Sequence, residues 1–328
     1  MNYRTLGKTG FTISEISLGT WQVGGRWGEP FNKSNAEGLL NAAIDAGINF
    51  IDTADVYGDG LSEKMVGRVV RRRSERVYVA TKCGRRLNPH NNQTYTTEAL
   101  RFFVEASLRN SGLETLDLIQ LHCPPSEAYD RPEIFGLFEK LKEEGKILHM
   151  GVSVETVEEA MRAIRYHNVT TVQIIFNMFR HKPAETFFPE ASRNNVGVIV
   201  RVPLASGMLT GLYSKKTSFG PSDHRHFNRS GEAFDKGETF SGVDYETGLQ
   251  AVEEIRRLFP ERENLAPAAL RWILMFKEVS CVIPGASGQK QLISNLGTLN
   301  EPPLSLSQME GVKQIYDSRI RSQVHHLW

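Results

Sequence analysis

Four side chains that suit acid–base chemistry stand at or just after short apolar runs. Asp52 and Tyr57 follow INFI, Lys82 ends VYVATK and His122 ends LDLIQLH. A tyrosine with its ordinary pKa of about 10 is a weak acid at neutral pH. A neighbouring ammonium lowers that pKa, which makes proton donation to a developing alkoxide feasible. These residue types therefore make Tyr57 a candidate acid beside Lys82.

The other two side chains complete the chemistry of carbonyl reduction. Asp52 is placed to pair with the ammonium of Lys82, which is costly to bury alone. His122 could donate a hydrogen bond to a carbonyl oxygen and orient it. None of the four can carry a hydride, so a nicotinamide cofactor must supply it. Each residue alone also has an ordinary structural interpretation in a turn, in packing or in solvent, and the strand ends alone leave both interpretations open.

These four residues meet only if the apolar runs are strands of one sheet. Eight such runs recur, at residues 15–21, 48–52, 77–82, 116–122, 149–153, 171–177, 197–204 and 279–285. Their nearly continuous apolarity is typical of parallel strands covered on both faces. The carboxyl ends of parallel strands lie at one edge, so the four side chains would converge there.

Helical patterns separate most of these runs. Ser34 with Glu37 and Thr156 with Glu159 predict capping boxes, and Pro132 suits the first turn of a helix. Eight strands alternating with helices predict an α/β fold of the (β/α)8 TIM-barrel type, whose active site lies at the carboxyl ends of the strands. An open doubly wound sheet usually carries G-x-G-x-x-G after its first strand, and SLGTWQVGG has no such pattern.

We predict one domain over residues 1–328 with three additions to the barrel. Residues 1–15 read as a floor hairpin that turns at GKTG. Residues 213–245 form a long lid-like loop without clear periodicity, a length that is usually functional. Residues 300–328 supply a C-terminal helix and tail.

Composition narrows the class of protein. A net charge of +1 creates no field that attracts nucleic acid or an anionic membrane. Three scattered cysteines predict neither a disulfide framework nor a metal site. Cys83 and Cys123 follow Lys82 and His122 directly, so strand alternation predicts that both thiols face away from those side chains. The amino terminus lacks the apolar core of a signal peptide, which predicts a cytoplasmic protein.

Several motifs resemble those of one enzyme family. GINFIDTADVYGDGLSEKMVG closely resembles the first signature of the aldo-keto reductases, and LDLIQLHCP and GKILHMGVS resemble later ones. VIPGASGQKQLISN is similar to the family's segment for the adenosine end of the dinucleotide. The resemblance runs from about Tyr3 to Asn295 and includes the branch of the potassium-channel β-subunits. It implies a barrel reductase with Asp52, Tyr57, Lys82 and His122 as its tetrad and Tyr57 as the acid.

The resemblance also implies a cofactor site that runs along one side of the barrel mouth. The family's roles are a lining near the first strand and Asp52, contacts to the nicotinamide, contacts to the pyrophosphate and contacts to the adenosine. The lining is matched by Thr20, Trp21 and Asp52, and the nicotinamide contacts by Ser153, Gln173 and Arg201. The pyrophosphate contacts are matched by Leu204, Ser206 and Gly207. The adenosine contacts are matched by Gly285, Ser287, Gln291 and Asn295. Tyr57 and His122 are candidate substrate contacts, and Trp27 is either a substrate wall beside them or an anchor of its loop.

The sequence departs from the family pattern at the cofactor site. Val154 stands where much of the family has Asn, and Arg201 stands where many members stack an aromatic ring. Gly285 and Gln291 replace the Lys and Arg with which NADPH-specific members reach the 2′-phosphate. The family favours NADP(H), but these positions leave NAD(H) or dual use open.

The predicted function is NAD(P)H-dependent reduction of an aldehyde or ketone, with a small carbonyl compound or a sugar as substrate. A nucleotide-bound regulatory subunit with little turnover is the alternative, and the tetrad alone does not exclude it. A phosphate-handling barrel isomerase or lyase would need no nicotinamide, so VIPGAS and the residues after it disfavour that class. A homo-oligomer is compatible with the sequence.

Overall fold

The computed structural model describes residues 1–25 and 31–328. In this part of the chain, eight parallel strands follow one another in sequence order around a barrel, as the TIM-barrel prediction requires. The strands are β3 (Leu18–Gly19), β4 (Phe50–Asp52), β5 (Tyr78–Cys83), β6 (Leu116–His122), β7 (Ile147–Ser153), β8 (Val169–Ile175), β9 (Gly197–Arg201) and β10 (Val279–Val282). Each of the eight runs predicted from the sequence overlaps one of these strands.

The barrel closes where the segment around β3 meets the segment around β10. Ser17 N donates to Val282 O at 2.9 Å, and Gly19 N donates to Pro284 O at 3.2 Å. A Cβ on Gly19 would lie 2.8 Å from Ile283 O, so this close approach requires glycine. The predicted first strand is shorter than expected because a 3₁₀ turn begins at Trp21.

An antiparallel hairpin covers the amino-terminal end of the barrel, as predicted. Its strands are β1 (Tyr3–Thr5) and β2 (Thr12–Ser14), with Gly10 at a positive φ of 73° in the turn. Leu6 and Ile13 are fully buried and pack against apolar residues of the barrel interior. The hairpin therefore closes the floor with hydrocarbon.

The barrel interior changes from apolar to polar toward the carboxyl ends of the strands. Side chains two positions apart on a strand share a face, so each apolar floor residue is followed by an inward residue one layer higher. The pairs are Phe50 with Asp52, Ala80 with Lys82, Leu118 with Gln120 and Ile199 with Arg201. The strands thus carry a polar layer on an apolar base.

Helices connect the strands of the barrel and continue after the last strand, β10. They are α1 (Lys33–Asp45), α2 (Leu61–Val70), α3 (Thr97–Ser111), α4 (Pro132–Glu143), α5 (Val157–Ala163), α6 (Lys182–Arg193), α7 (His224–Phe227), α8 (Tyr245–Leu258), α9 (Ala266–Leu274), α10 (Gln289–Leu296), α11 (Leu306–Ile315) and α12 (Arg321–Val324). The Thr156–Glu159 capping box is confirmed, and Pro132 begins α4. The predicted box at Ser34 is wrong because Asn32 caps α1 by accepting from Asn35 N.

The segment predicted as a lid-like loop has local structure. It contains α7 and two 3₁₀ turns, Lys236–Glu238 and Phe240–Gly242. Trp328 donates from its ring nitrogen to Asp235 Oδ2 at 3.0 Å, so the C-terminal tail contacts this loop. Across residues 1–25 and 31–328, no helix combines the length and apolarity needed to cross a membrane.

Candidate active site

The structure brings Asp52, Tyr57, Lys82 and His122 together at the carboxyl ends of β4, β5 and β6. Lys82 Nζ donates to Asp52 Oδ1 at 2.5 Å, to Thr53 O at 2.8 Å and to the Tyr57 hydroxyl at 3.4 Å. The rings of Tyr57 and His122 meet edge to face with centroids 6.2 Å apart. Lys82 thus lies between the carboxylate and the phenol.

The four side chains of this cluster differ in how deeply they are buried. Asp52 and Lys82 are each 1% exposed, whereas Tyr57 and His122 are partly exposed at the barrel mouth. An ion pair at this depth persists only when its other polar atoms are satisfied. The phenol and imidazole can meet a substrate from the mouth, while the ion pair stays beneath them.

Two glutamines satisfy the second oxygen of Asp52. Gln120 Nε2 donates to Oδ2 at 3.0 Å, and Gln173 Nε2 donates to the same atom at 2.8 Å. The family resemblance assigns Gln173 to the nicotinamide, and the structure gives it this additional contact. Gln120 was not anticipated, although it alternates with Leu118 and His122 in LDLIQLH, which is the pattern of an inward-facing residue.

The expected lowering of the Tyr57 pKa is wrong in its net direction. Burial raises the pKa of the phenol, and the opposing effect of Lys82 only partly offsets this. Burial alone would lower the pKa of Lys82, but the Asp52 carboxylate and Tyr57 reverse this, so that pKa is raised. Tyr57 is therefore a protonated phenol beside a charged ammonium, the state required of a proton donor.

His122 is held neutral. Burial lowers its pKa well below the usual value, and the positive charges of Lys82 and Arg85 lower it further. Its Nδ1 is buried without a hydrogen-bond partner among the described residues. A neutral imidazole offers one N–H donor, which suits orientation of a carbonyl oxygen and does not suit proton transfer as an imidazolium.

Two further ion pairs follow the carboxyl ends of the strands, and their arginines act electrostatically on His122. Arg201 Nη1 lies 3.1 Å from Glu238 Oε1, and Arg85 Nη1 lies 3.2 Å from Glu155 Oε1. Arg201 thus binds a carboxylate of the lid-like loop. Sequence reasoning missed Glu238 because its loop has no periodic signal.

Cys123 corrects a prediction from strand alternation. Its φ is +47°, so alternation ends at His122, and Sγ lies 4.0 Å from Ser153 Oγ and 3.7 Å from Arg201 Nη2. Cys123, Glu155 and Glu238 place ligand-type atoms within 4.8 Å of one another. The guanidinium of Arg201 supplies the positive charge there. Cys83, as predicted, packs in the core between the barrel and the helices.

The residues assigned to the nicotinamide lie along β7, β8 and β9. Ser153 and Gln173 are 1% exposed and sit opposite each other in neighbouring strands. Arg201 donates from Nη2 to Val154 O at 3.0 Å, and its Nε is buried without a partner in the described part of the chain. Unpartnered and polar groups on these strand ends fit the carboxamide of a nicotinamide.

The residues assigned to the rest of the dinucleotide continue around the mouth. Ser206 and Gly207 both have positive φ, and a Cβ on Gly207 would lie 2.3 Å from the Tyr213 hydroxyl oxygen. The hydroxyl of Ser206 donates to Glu238 O at 2.9 Å, which ties this turn to the lid-like loop. Leu204 precedes the turn as its N-cap residue.

The predicted adenosine segment connects β10 to α10. Gln291 Oε1 accepts from Ser287 N at 2.6 Å, and Asn295 Nδ2 donates to Gly285 O at 3.2 Å. A Cβ on Gly285 would lie 2.5 Å from Gln22 Oε1, a buried atom with no partner among the described residues. The segment is thus held by its own amide side chains.

Thr20 and Trp21 directly follow β3. Thr20 Oγ1 donates to Asp52 O at 2.9 Å, so it supports the end of β4 directly. Trp21 meets His224 edge to face at 5.0 Å. Trp27, the candidate substrate wall, lies outside the described residues.

Comparison with known proteins gives a consistent result. A profile of the Aldo/keto reductase family matches residues 15–317. Aldo-keto reductase YhdN of Bacillus subtilis is 30% identical, over 90% of this chain and 88% of its own length. A probable voltage-gated potassium channel subunit beta of Oryza sativa is 29% identical over 93% of both chains.

Two further relatives have names that state a substrate or a coenzyme. The NADH-specific methylglyoxal reductase of Escherichia coli is 27% identical, over 90% of this chain and 92% of its own length. The structure of the glycerol dehydrogenase AKR11B4 from Gluconobacter oxydans superposes with a TM-score of 0.79 at 28% identity, covering 97% and 96% of the two chains. The family profile, the barrel and these relatives agree, and the chain therefore belongs to the aldo/keto reductase family of NAD(P)-dependent oxidoreductases.

Proposed function

We propose that the chain reduces a small aldehyde or ketone to the alcohol, with Tyr57 as the general acid. The observation that carries this proposal is the position of Lys82 Nζ, 2.5 Å from Asp52 Oδ1 and 3.4 Å from the Tyr57 hydroxyl. In this arrangement a buried positive charge supports the phenol that must lose a proton.

The four side chains divide the work of reduction. Neutral His122 donates a hydrogen bond to the carbonyl oxygen and orients it above Tyr57. As the carbonyl carbon gains a hydride, its oxygen takes the proton from the Tyr57 hydroxyl, and the resulting phenolate is stabilised by Lys82. When bound, the nicotinamide supplies the hydride that none of these side chains can donate. Asp52 keeps the ammonium charged and fixed.

The cofactor is proposed to lie along the residues described above. Ser153, Gln173 and Arg201 would hold the nicotinamide end, and the turn at Leu204, Ser206 and Gly207 would follow the pyrophosphate. The segment that contains Gly285, Ser287, Gln291 and Asn295 would hold the adenosine, and Thr20 and Trp21 would line the first loop beside Asp52. Their position along one side of the mouth supports this assignment.

The direct test combines coenzyme oxidation with a tyrosine variant. Tyr57→Phe removes the proton donor, and we expect kcat/KM for a generic aldehyde to fall about 10²- to 10⁴-fold. Nicotinamide absorbance is followed with NADPH and NADH in parallel. Tyr95→Phe is the matched control, since the Tyr95 hydroxyl oxygen is buried without a partner in the described residues. Equal loss in both variants, or none in Tyr57→Phe, would contradict the role of Tyr57.

The chain uses NADPH or NADH, and the family resemblance slightly favours NADPH. Gln291 is exposed and uncharged, and its oxygen already binds Ser287 N. Gln291→Arg would add a donor fork suited to a phosphate. We expect the ratio of NADPH to NADH affinity to rise about tenfold, since one charge-assisted contact is worth roughly 1.4 kcal/mol or more. An unchanged ratio of dissociation constants would place the 2′-position away from Gln291.

The mouth favours a small polar substrate. Arg85 with Glu155 and Arg201 with Glu238 form paired charges that balance one another, an environment that offers many hydrogen bonds and no net attraction for an anion. A hydroxylated carbonyl compound or sugar fits this environment. The relatives named for methylglyoxal and glycerol act on small oxygenated compounds, which supports the same class. Comparing kcat/KM for a hydroxyaldehyde and an aromatic aldehyde tests it.

A second candidate is a nucleotide-bound regulatory subunit with little turnover. The relative from Oryza sativa described as a potassium channel subunit beta favours it. The same assay separates the two functions. Tight binding of a dinucleotide with no oxidation on any carbonyl compound would support the regulatory function, whereas turnover that depends on Tyr57 supports the reductase.

A further inference from the structure

The orientation of the Gln173 side-chain amide is determined by its neighbours in the polar layer. Its Nε2 donates to Asp52 Oδ2 at 2.8 Å and to Gln120 Oε1 at 3.2 Å. Asp52 pairs with the Lys82 ammonium, so it is a carboxylate that only accepts hydrogen bonds. Gln173 must therefore turn its NH2 group toward Asp52.

Gln120 is oriented by the same carboxylate. Its Nε2 donates to Asp52 Oδ2 at 3.0 Å, which leaves its oxygen facing Gln173. Gln120 is 0% exposed and Gln173 is 1% exposed, so water does not compete for these groups. Both N–H groups of Gln173 are consequently engaged inside the barrel, one by Asp52 and one by Gln120.

This arrangement leaves Gln173 one hydrogen-bonding atom for a ligand. Within residues 1–25 and 31–328, its Oε1 accepts no hydrogen bond. An amide oxygen accepts and cannot donate. The neighbouring position is Val154, whose side chain has no polar atom and whose carbonyl oxygen is bound by Arg201. An amide next to Gln173 can thus be recognised there through its N–H.

We propose that Gln120 is a positioning residue for the cofactor: by engaging the second N–H of Gln173, it makes Gln173 read the NH2 group of the nicotinamide carboxamide and not its carbonyl oxygen. The proposal rests on the proposed role of Gln173 in holding the carboxamide. Gln120 touches neither cofactor nor substrate in this scheme and acts through Gln173.

Dinucleotide analogues test this selectivity by binding, without turnover. The 3-acetylpyridine analogue of the reduced coenzyme keeps the carbonyl oxygen and lacks the NH2 group, whereas the thionicotinamide analogue keeps the NH2 group. Dissociation constants are measured by fluorescence or calorimetry with whichever coenzyme, NADH or NADPH, binds more tightly. The wild type should bind the acetylpyridine analogue about tenfold more weakly than the parent coenzyme and the thionicotinamide analogue about equally well.

The decisive variant is Gln120→Met, which is close to glutamine in shape and has no amide. It releases the second N–H of Gln173 while Asp52 still holds the first, so the freed N–H can donate to the carbonyl oxygen of the acetylpyridine analogue. The advantage of the parent coenzyme should then shrink, and the ratio of dissociation constants should fall below about threefold. Thr171→Val is the matched control. Thr171 is fully buried two residues before Gln173 on β8, and its hydroxyl has no partner among the described residues. The control should keep the wild-type ratio.

The ratio distinguishes positioning from general damage, since a merely structural defect weakens both ligands alike. Equal binding of the parent and acetylpyridine coenzymes by the wild type would overturn the proposal, and so would an unchanged ratio in Gln120→Met. Gln120→Leu provides the same comparison if the methionine variant does not fold. Failure of the wild type to bind any dinucleotide would instead refute the proposed function itself.

Discussion

Lys82→Met should lower kcat/KM for carbonyl reduction about 10²- to 10⁴-fold and lower the free energy of unfolding by about 3–5 kcal/mol. The ammonium of Lys82 contacts Asp52 and Tyr57 and is 1% exposed, as is Asp52. Without it, the Asp52 carboxylate is left in a dry site with only neutral donors. The phenolate that forms during reduction also loses its nearest positive charge, for which we expect a fall of about 10²- to 10⁴-fold in kcat/KM.

A double variant separates the two effects. Asp52→Asn in the Lys82→Met background removes the uncompensated charge, so most of the lost stability should return while activity remains lost. The Asn side chain can still accept from Gln120 and Gln173 through its oxygen, at the position that Asp52 Oδ2 occupies in the wild type. Urea unfolding and nicotinamide absorbance measure the two quantities on the same protein samples.

The control for this experiment is Lys64→Met, which removes an exposed lysine of α2. Its unfolding free energy should stay within about 0.5 kcal/mol of the wild type. Recovery of activity in the double variant would show that Lys82 serves only to neutralise Asp52. A double variant no more stable than Lys82→Met would show that charge burial is not the source of the loss.

Asp55→Asn should stabilise the protein at alkaline pH, by up to about 4 kcal/mol. Asp55 is 1% exposed, and neither carboxylate oxygen has a hydrogen-bond partner among the described residues. Burial, with the negative charge of Glu63, raises its pKa to about 7, although the positive charges of Arg86 and Lys82 partly oppose this. The folded protein therefore holds a proton that the unfolded chain releases at lower pH.

The direction of the pH dependence follows from that shift. The carboxyl group of Asp55 ionises near the ordinary aspartate value of 3.8 in the unfolded chain and at about 7 in the folded protein. Wild-type stability therefore falls as the pH rises between these values, and the penalty is complete above about 7. An asparagine has no proton to lose. The advantage of Asp55→Asn should hence be small at pH of about 4 and full at pH of about 8.5.

The matched control is Asp59→Asn, which changes an exposed carboxylate of the same loop that pairs with Arg86. Exposed pairs contribute roughly 0–1 kcal/mol, so this variant should show little change at either pH. Urea unfolding at the two pH values gives the comparison. A pH-independent gain in Asp55→Asn would mean that packing, and not ionisation, explains the effect.

Much of the fold follows from apolar runs that can be recognised in the sequence as strands. The run 116–122 is apolar over most of its length and ends in His122, and the structure places β6 over Leu116–His122. Since side chains alternate along a strand and parallel strands share one edge, the positions of Asp52, Lys82 and His122 at one mouth were predictable. Prediction was poorer where φ becomes positive, as at Cys123 and Val202, because single-residue turns leave no periodic trace.

The parts of the site that escaped prediction depend on contacts between distant segments. Arg201 and Glu238 lie 37 positions apart in the chain, a pairing that neither local sequence indicates. The net direction of the Tyr57 pKa shift also depends on a balance between burial and charge, and the burial is set by the folded chain as a whole. Asn32, and not Ser34, caps α1. Both are good capping residues, so the choice depends on where the preceding loop ends.

The closure of the barrel has a consequence for synthesis of the protein. The tetrad residues are complete in the chain once His122 has been made, but the hydrogen bonds that join the first strand to the last involve Val282 and Pro284. Gln173, which helps to hold Asp52, also comes later. A nascent chain on the ribosome thus carries the reactive side chains long before it can bury them, and contacts of such large sequence separation form slowly. We expect activity to emerge only after nearly the whole polypeptide has left the ribosome.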